Sequence, residues 1–268
     1  MHSTIDTFES YIFSFTNISL VACLSQQQQT LSIVVVGASG DLAKKKTYPS
    51  LLNLFEANLL PPDLVIWGYA RSVKTHQELR DRLYPTLVNT GASEIVVQDF
   101  LAKCFYHSGK GYGDEEAYTE LMAKISEFEK DSPSPTCNRL FYLAIPPNVF
   151  GESGIAIKNV GMQSGAGWTR IIIEKPFGRD LDTCNELLET LASNFEEHHL
   201  YRIDHYLGKE VVQNLLLFRF GNACWEWIWN RNVIESVTLT FKENFGTEGR
   251  GGYFDNFGII RDILQNHL

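Results

Sequence analysis

The chain carries no lysine or arginine before Lys44. Its opening stretch therefore lacks the positive n-region of a secretory signal and the arginine richness of a transit peptide. It also lacks an unbroken membrane-length apolar run. The segments Tyr11–Phe15 and Ile18–Leu24 are interrupted and flanked by Ser14, Thr16, Asn17 and Ser19, whereas about 20 consecutive apolar residues are needed to cross a bilayer. Cysteine is sparse: Cys23, Cys104, Cys137, Cys184 and Cys224 are odd in number and widely scattered. That excludes a disulfide framework and leads to an expectation of reduced thiols in the cytoplasm. No cluster of histidine, cysteine or carboxylate has metal-ligand spacing, so no metal is expected. Positive charge is in deficit, with a net charge of -9. No nucleic-acid or membrane partner is expected, and an anionic ligand would need a local basic pocket.

What is present is a regular alternation. Ser32–Gly37 is a β-branched run ending in glycine, the pattern of a buried parallel strand. A helical stretch to about Asn58 follows, then Pro61-Pro62 and a second strand, Leu64–Tyr69. Helical patterns cover Thr75–Leu87, Ser93–Lys103 and Asp114–Lys130, and Ser132–Pro135 is a loop. Arg139–Ile145 and Arg170–Glu174 read as further strands. The fold class is α/β, a doubly wound parallel (Rossmann) sheet. Three parts are expected: a disordered extension over residues 1–30, a coenzyme domain over 31–203, and a part of different character over 204–268, which the family resemblance described below makes an incomplete α+β substrate domain. In the last, Glu235–Lys242 alternates apolar and polar and predicts a half-buried strand of an antiparallel sheet. No partner strand is legible after it, and a lone strand cannot hold itself.

Several residues stand where chemistry is done. Gly37, Gly40 and Ala43 lie between a strand and a helix, where small residues let the backbone approach a pyrophosphate and the helix N-terminus favours an anion. The spacing G-x-x-G-x-x-A is weak on its own, and a plain strand–turn–helix corner competes with it. The second strand runs out at Arg71, where an acidic residue would favour a free ribose 2′-hydroxyl. A planar cation suits a 2′-phosphate instead, which favours NADP over NAD; a solvated surface arginine is the rival reading. Pro146-Pro147 ends a strand at the crevice. Lys175 follows a strand and precedes Pro176, which gives it an extended backbone and permits a cis bond. The segment Asp204–Lys209 crowds a carboxylate, an imidazole, a phenol and an ammonium into six positions, with His205 and Lys209 one helical turn apart. Such donors suit a phosphate monoester. His267 shares an apolar helical stripe with Phe257, Ile260 and Leu264, where a packed core histidine is the better reading of the residue alone.

Four stretches, taken together and in order, resemble the glucose-6-phosphate dehydrogenase family: Gly37–Lys46, Glu174–Asp180, Arg202–Glu210 and Phe245–Leu268. The resemblance runs from about Ser32 to the last residue, and family members continue well beyond this point into a large antiparallel sheet, so the chain resembles a C-terminally truncated form. It implies oxidation of C1 of glucose 6-phosphate by NADP, giving 6-phosphogluconolactone and NADPH in the oxidative pentose phosphate pathway. It assigns Gly37, Ser39, Gly40, Asp41, Leu42, Ala43, Arg71, Pro146 and Lys175 to the coenzyme. His267 becomes the general base with Asp204 as its partner, and Lys175 a hydrogen-bond donor to the sugar. His205, Tyr206 and Lys209 hold the 6-phosphate, while Glu243 and Asp262 match positions that contact sugar hydroxyls. A homo-oligomer is implied as well. Two rivals stay open: a non-catalytic NADP- or sugar-phosphate-binding protein, and another sugar oxidoreductase with a Glu-Lys-Pro motif, which leaves Asp204–Lys209 unexplained.

Overall fold

The computed structural model describes residues 29–203, 210–238, 240, 242, 246–247 and 251–265. The chain divides into two compact units, one of residues 1–174 and 185–201, the other of 175–184 and 202–268.

The first unit is built on β1 (Thr30–Val36), β2 (Asp63–Ala70), β3 (Cys104–Ser108), β4 (Cys137–Leu143) and β5 (Thr169–Ile173). Their order is β3-β2-β1-β4-β5, extended by the short β6 (Leu200–Arg202). The pairings β1–β2, β1–β4, β2–β3 and β4–β5 are all parallel. β1 sits centrally and every one of its residues is buried, which explains its β-branched composition: both faces are covered, so alternation is lost. Ile33 and Val35 belong to a core shared with α1 (Tyr48–Glu56), α2 (His76–Val88) and α3 (Glu94–Ala102), through Tyr48, Leu52, Leu79, Leu83 and Phe100. Side chains of opposite parity face the other way: Tyr69 of β2 stacks on Tyr118 of α4 (Glu115–Asp131), with ring centroids 4.5 Å apart. Helices thus cover both faces, as a doubly wound sheet requires.

Local chemistry sets the helix starts. Thr75 and Glu78 form a reciprocal capping box on α2, at 3.2 and 2.6 Å. Asp114 caps α4 by accepting from Ala117 N at 3.2 Å. A buried ion pair joins α4 to β4: Arg139 meets Glu129 at 2.8 and 2.6 Å.

The strands differ in detail from the sequence expectation. β1 starts at Thr30 rather than Ser32, because the Thr30 hydroxyl donates to Asp63 at 2.8 Å and the backbone is already paired with β2. β4 runs Cys137–Leu143 rather than Arg139–Ile145, in register with β1 from Thr30 onward. β3, α5 (Phe150–Ala156) and α6 (Leu181–Asn194) were not expected.

In the second unit, residues 175–180 form a tight turn ahead of α6. Gly178 sits at φ +85°, and a Cβ there would lie 2.5 Å from Cys184 N, so the turn requires glycine. Asp180 caps the helix that follows, accepting from Thr183 N at 3.1 Å. Beyond Arg202 the described elements are helical: α7 (Glu210–Phe220), α8 (Ala223–Glu226), α9 (Gly251–Ile259) and a π-helical turn, Ile260–Gln265. Phe218, Trp225 and Trp229 cluster with centroids 4.8 to 5.9 Å apart. The expected strand at Glu235–Lys242 is corrected: its described residues, 235–238, 240 and 242, are not in a strand. Alternating sequence becomes a strand only beside another strand, and none lies beside it among the described residues. Among the described residues no helix is long and apolar enough to cross a membrane, and no group of three or more metal-ligating side chains assembles.

Candidate functional site

The carboxyl ends of β1, β2, β3 and β4 form a crest in the first unit, the edge at which open α/β sheets bind ligands. β1 turns at Gly37, whose N–H donates to Tyr69 O at 2.7 Å. Gly37 lies at φ +90°, and a Cβ there would stand 2.3 Å from Ala144 O. Glycine is therefore required by the close passage of the β4 exit, besides any role toward a ligand. Gly40 closes the turn, donating to Gly37 O at 2.8 Å and accepting from Lys44 N at 3.2 Å. The chain is helical from Asp41 and passes through a π turn, Ala43–Thr47, with no side-chain cap. The first N–H groups of this helix precede its first backbone bond, so they remain donors at the crest. Lys44, Lys45 and Lys46 add positive charge there. Asp41 pairs with Lys45 at 3.1 Å, which, with Lys45 the leading cause, holds its carboxyl below the ordinary range.

Arg71 follows β2, the strand beside β1. Its guanidinium lies 5.2 Å from the ring centroid of Tyr112, a cation–π contact. The glycine-rich loop that carries Tyr112 is folded on itself. Tyr69 donates its hydroxyl to Gly111 O at 2.7 Å, and Asp114 accepts from Lys110 N at 2.8 Å. Tyr106 of β3 donates to Ser72 O at 2.7 Å, and its hydroxyl lies 3.2 Å from Ser72 Oγ. Arg82 of α2 donates to Ser39 O at 3.0 Å. Tyr106, Tyr112 and Arg82 carry no local signal in the sequence, because packing alone brings them to the crest. Pro146 follows β4 and is exposed, with Pro147 opening a short 3-10 turn. At the end of β5, Glu174 accepts from the Tyr142 hydroxyl.

The fold thus gathers Gly37, Ser39, Gly40, Asp41, Leu42, Ala43, Arg71 and Pro146 at one edge of one sheet. Lys175 belongs to the second unit, where its bond to Pro176 is cis. Asp262 lies on the π-helical turn Ile260–Gln265. Asp204, His205, Tyr206, Lys209, Glu243 and His267 lie outside the described residues.

Sheet order, crest and glycine turn together define a doubly wound dinucleotide-binding domain. Comparison with known proteins narrows this class. The family model described as glucose-6-phosphate dehydrogenase, NAD binding domain, matches residues 34–214, and that of the same enzyme's C-terminal domain matches 216–268. The chain belongs to the glucose-6-phosphate dehydrogenase family. Glucose-6-phosphate 1-dehydrogenase 1, chloroplastic, of Arabidopsis thaliana is 47% identical over 277 residues, covering 100% of this chain and 47% of that protein. The cytoplasmic form 6 of the same plant is 51% identical, over 89% of this chain and 47% of its own length. A solved glucose-6-phosphate dehydrogenase in complex with its substrate glucose-6-phosphate superposes with a TM-score of 0.82 at 48% identity, over 90% of this chain and 50% of that one. The chain spans about half the length of the relatives it matches.

Proposed function

We propose that this chain binds NADP at the crest of its first unit and takes part in oxidising glucose 6-phosphate at C1 to 6-phosphogluconolactone. The observation that carries the reading is the ordered match of both family domains, over residues 34–214 and 216–268. The crest fits the coenzyme: an uncapped helix start with basic residues suits a pyrophosphate, and Arg71 at the end of β2 suits a 2′-phosphate. When bound, NADP supplies the acceptor for the hydride that leaves the sugar.

In this reading the remaining work falls to the chain's own side chains. His267 takes the proton of the C1 hydroxyl, and Asp204 fixes the imidazole tautomer and steadies the imidazolium. Lys175 donates a hydrogen bond to the sugar. His205, Tyr206 and Lys209 hold the 6-phosphate, while Glu243 and Asp262 meet sugar hydroxyls. The 31–203 and 204–268 division serves as the working map of coenzyme and substrate parts. We place the protein in the cytoplasm, supported by its scattered cysteines and by the cytoplasmic Arabidopsis relative. Self-association, implied by the family, is readable by light scattering.

A second reading, coenzyme binding with little turnover, is favoured by uncovered apolar side chains on α7 and at Trp227. An NADPH absorbance assay separates the two. In the presence of turnover, Lys209→Ala and His205→Ala should weaken glucose 6-phosphate and leave free glucose unaffected, since free glucose has no phosphate to hold. Equal losses for both sugars would overturn the phosphate assignment.

A further inference from the structure

One arginine reaches the crest from a distance. Arg82 stands in the middle of α2 and is separated from Ser39 by 43 positions, yet its Nη2 donates to the Ser39 carbonyl at 3.0 Å. The same nitrogen lies 3.8 Å from Asp41 Oδ1. That is an ion-pair contact beyond hydrogen-bond reach. Lys45 meets the same carboxylate at 3.1 Å, so Lys45 takes up the larger share of its charge. The Arg82 Nε is buried and has no hydrogen-bond partner. Its side chain is 35% exposed overall. A guanidinium has five N–H donors, and few of them are engaged. Arg82 is tied to the coenzyme turn through a neutral carbonyl, and its charge is only weakly offset.

Its neighbours point the same way. The Tyr106 hydroxyl is bonded to Ser72, which directly follows Arg71. It also lies 3.2 Å from the Ser72 side-chain hydroxyl. Arg82 thus reaches the turn after β1, while Tyr106 of β3 is tied to the exit of β2 that carries Arg71. A phosphate monoester carries about −1.5 to −2 charges at neutral pH. Arg71 supplies one positive charge, which leaves much of that unmatched.

We propose that Arg82 is a second specificity residue for the coenzyme's 2′-phosphate, supplying with Arg71 the cationic charge the dianion requires. The proposal rests on the NADP reading of the crest. It differs from a purely bracing role. A brace on the Ser39 carbonyl would stiffen the turn and, when lost, weaken every adenine nucleotide alike. A charge placed for the 2′-phosphate would, when lost, weaken only nucleotides that carry it.

Adenosine 2′,5′-bisphosphate and 5′-AMP differ by that one group and serve as probes in calorimetric titration of the full chain. The wild type should prefer the bisphosphate. Arg82→Gln should raise its Kd about tenfold or more, the scale of a lost charge-assisted contact, with 5′-AMP unchanged. Arg82→Lys, which keeps the charge but loses the planar fork, should fall between. Arg71→Ala should still prefer the bisphosphate, because Arg82 remains; this arm does not depend on how Arg82 variants fold. Equal losses for both nucleotides in Arg82→Gln, an unchanged preference, or abolition of all preference in Arg71→Ala would each overturn the proposal. If the wild type binds neither probe, the coenzyme reading itself falls, an outcome distinct from a wild type and an Arg82→Gln variant that discriminate equally.

Discussion

The two units differ in what surrounds their apolar side chains. In the first, β1 is buried along its whole length, and Phe100, Phe141, Tyr48 and Tyr118 are completely enclosed. In the second, Leu216, Leu217, Phe220 and Trp227 are 65%, 70%, 71% and 80% exposed. A helix that is apolar on every side is ordinarily buried on every side, yet beyond the packing of Phe218 on Trp225 and Trp229 α7 is little covered by the described residues of its own unit. The strand-end crest rests on a sheet that supplies its own core, whereas the second unit presents apolar surface of the kind that marks interaction sites or aggregation.

If this comparison is right, substitutions in the first unit should be costly in proportion to burial. The largest effect is expected from Glu129→Ala, which strands the guanidinium of Arg139, itself 7% exposed. Breaking a buried pair on one side costs about 3–5 kcal/mol, read as a drop in the denaturation midpoint. A loss under 1 kcal/mol would show that water reaches the pair. Gly37→Ala should follow, at about 3 kcal/mol from a left-handed backbone and overpacking against β4, with coenzyme binding lost in parallel. Retained binding would mean that the turn relaxes freely.

Acid should act next. His107 on β3 is buried, and burial, aided by Lys124 at 3.1 Å, holds its pKa below the ordinary value despite opposing pulls from Glu120 and Asp114. His76 is lowered too, first by burial, and its Nδ1 accepts from Tyr106 N at 2.9 Å. In both cases the unfolded chain takes up protons first, from about pH 6.5 downward. Stability should be full above that pH and fall as the pH drops toward the lower folded values. His107→Gln should flatten the decline in chemical denaturation between neutral and mildly acidic pH, and an unchanged slope would remove His107 from the account. The smallest effect belongs to the second unit: Leu217→Glu should shift stability by no more than about 0.5 kcal/mol while raising solubility. A loss of several kcal/mol would show that α7 is packed after all.

Legibility in the sequence followed the same division of local and distant causes. β1, β2, β4 and β5 are β-branched or apolar runs bounded by glycine or proline, and each was readable to within a few residues. β3 was not. Cys104–Ser108 follows α3 without a break and carries polar residues, and it becomes a strand only through its pairing with β2. The helical period of Leu181, Cys184, Leu188 and Leu191 is present in the sequence, although no helix was expected there. Glu235–Lys242 shows the converse, a strand pattern whose described residues are not in a strand. At the crest, Gly37, Gly40 and Arg71 were legible because strand, turn and side chain are neighbours in sequence. Tyr112 and Arg82 were not, because the loop after β3 and the packing of α2 bring them there.

The proposed holding of NADP by cations at the strand ends of the first unit is read by titrating NADP and NAD into the full chain and into Arg71→Ala. The account predicts that NADP binds the wild type more tightly, and that Arg71→Ala weakens NADP by about 1.5–3 kcal/mol, the scale of a lost charge-assisted contact, while NAD is nearly unaffected. Equal affinities in the wild type, or equal losses for the two coenzymes in the variant, would contradict it.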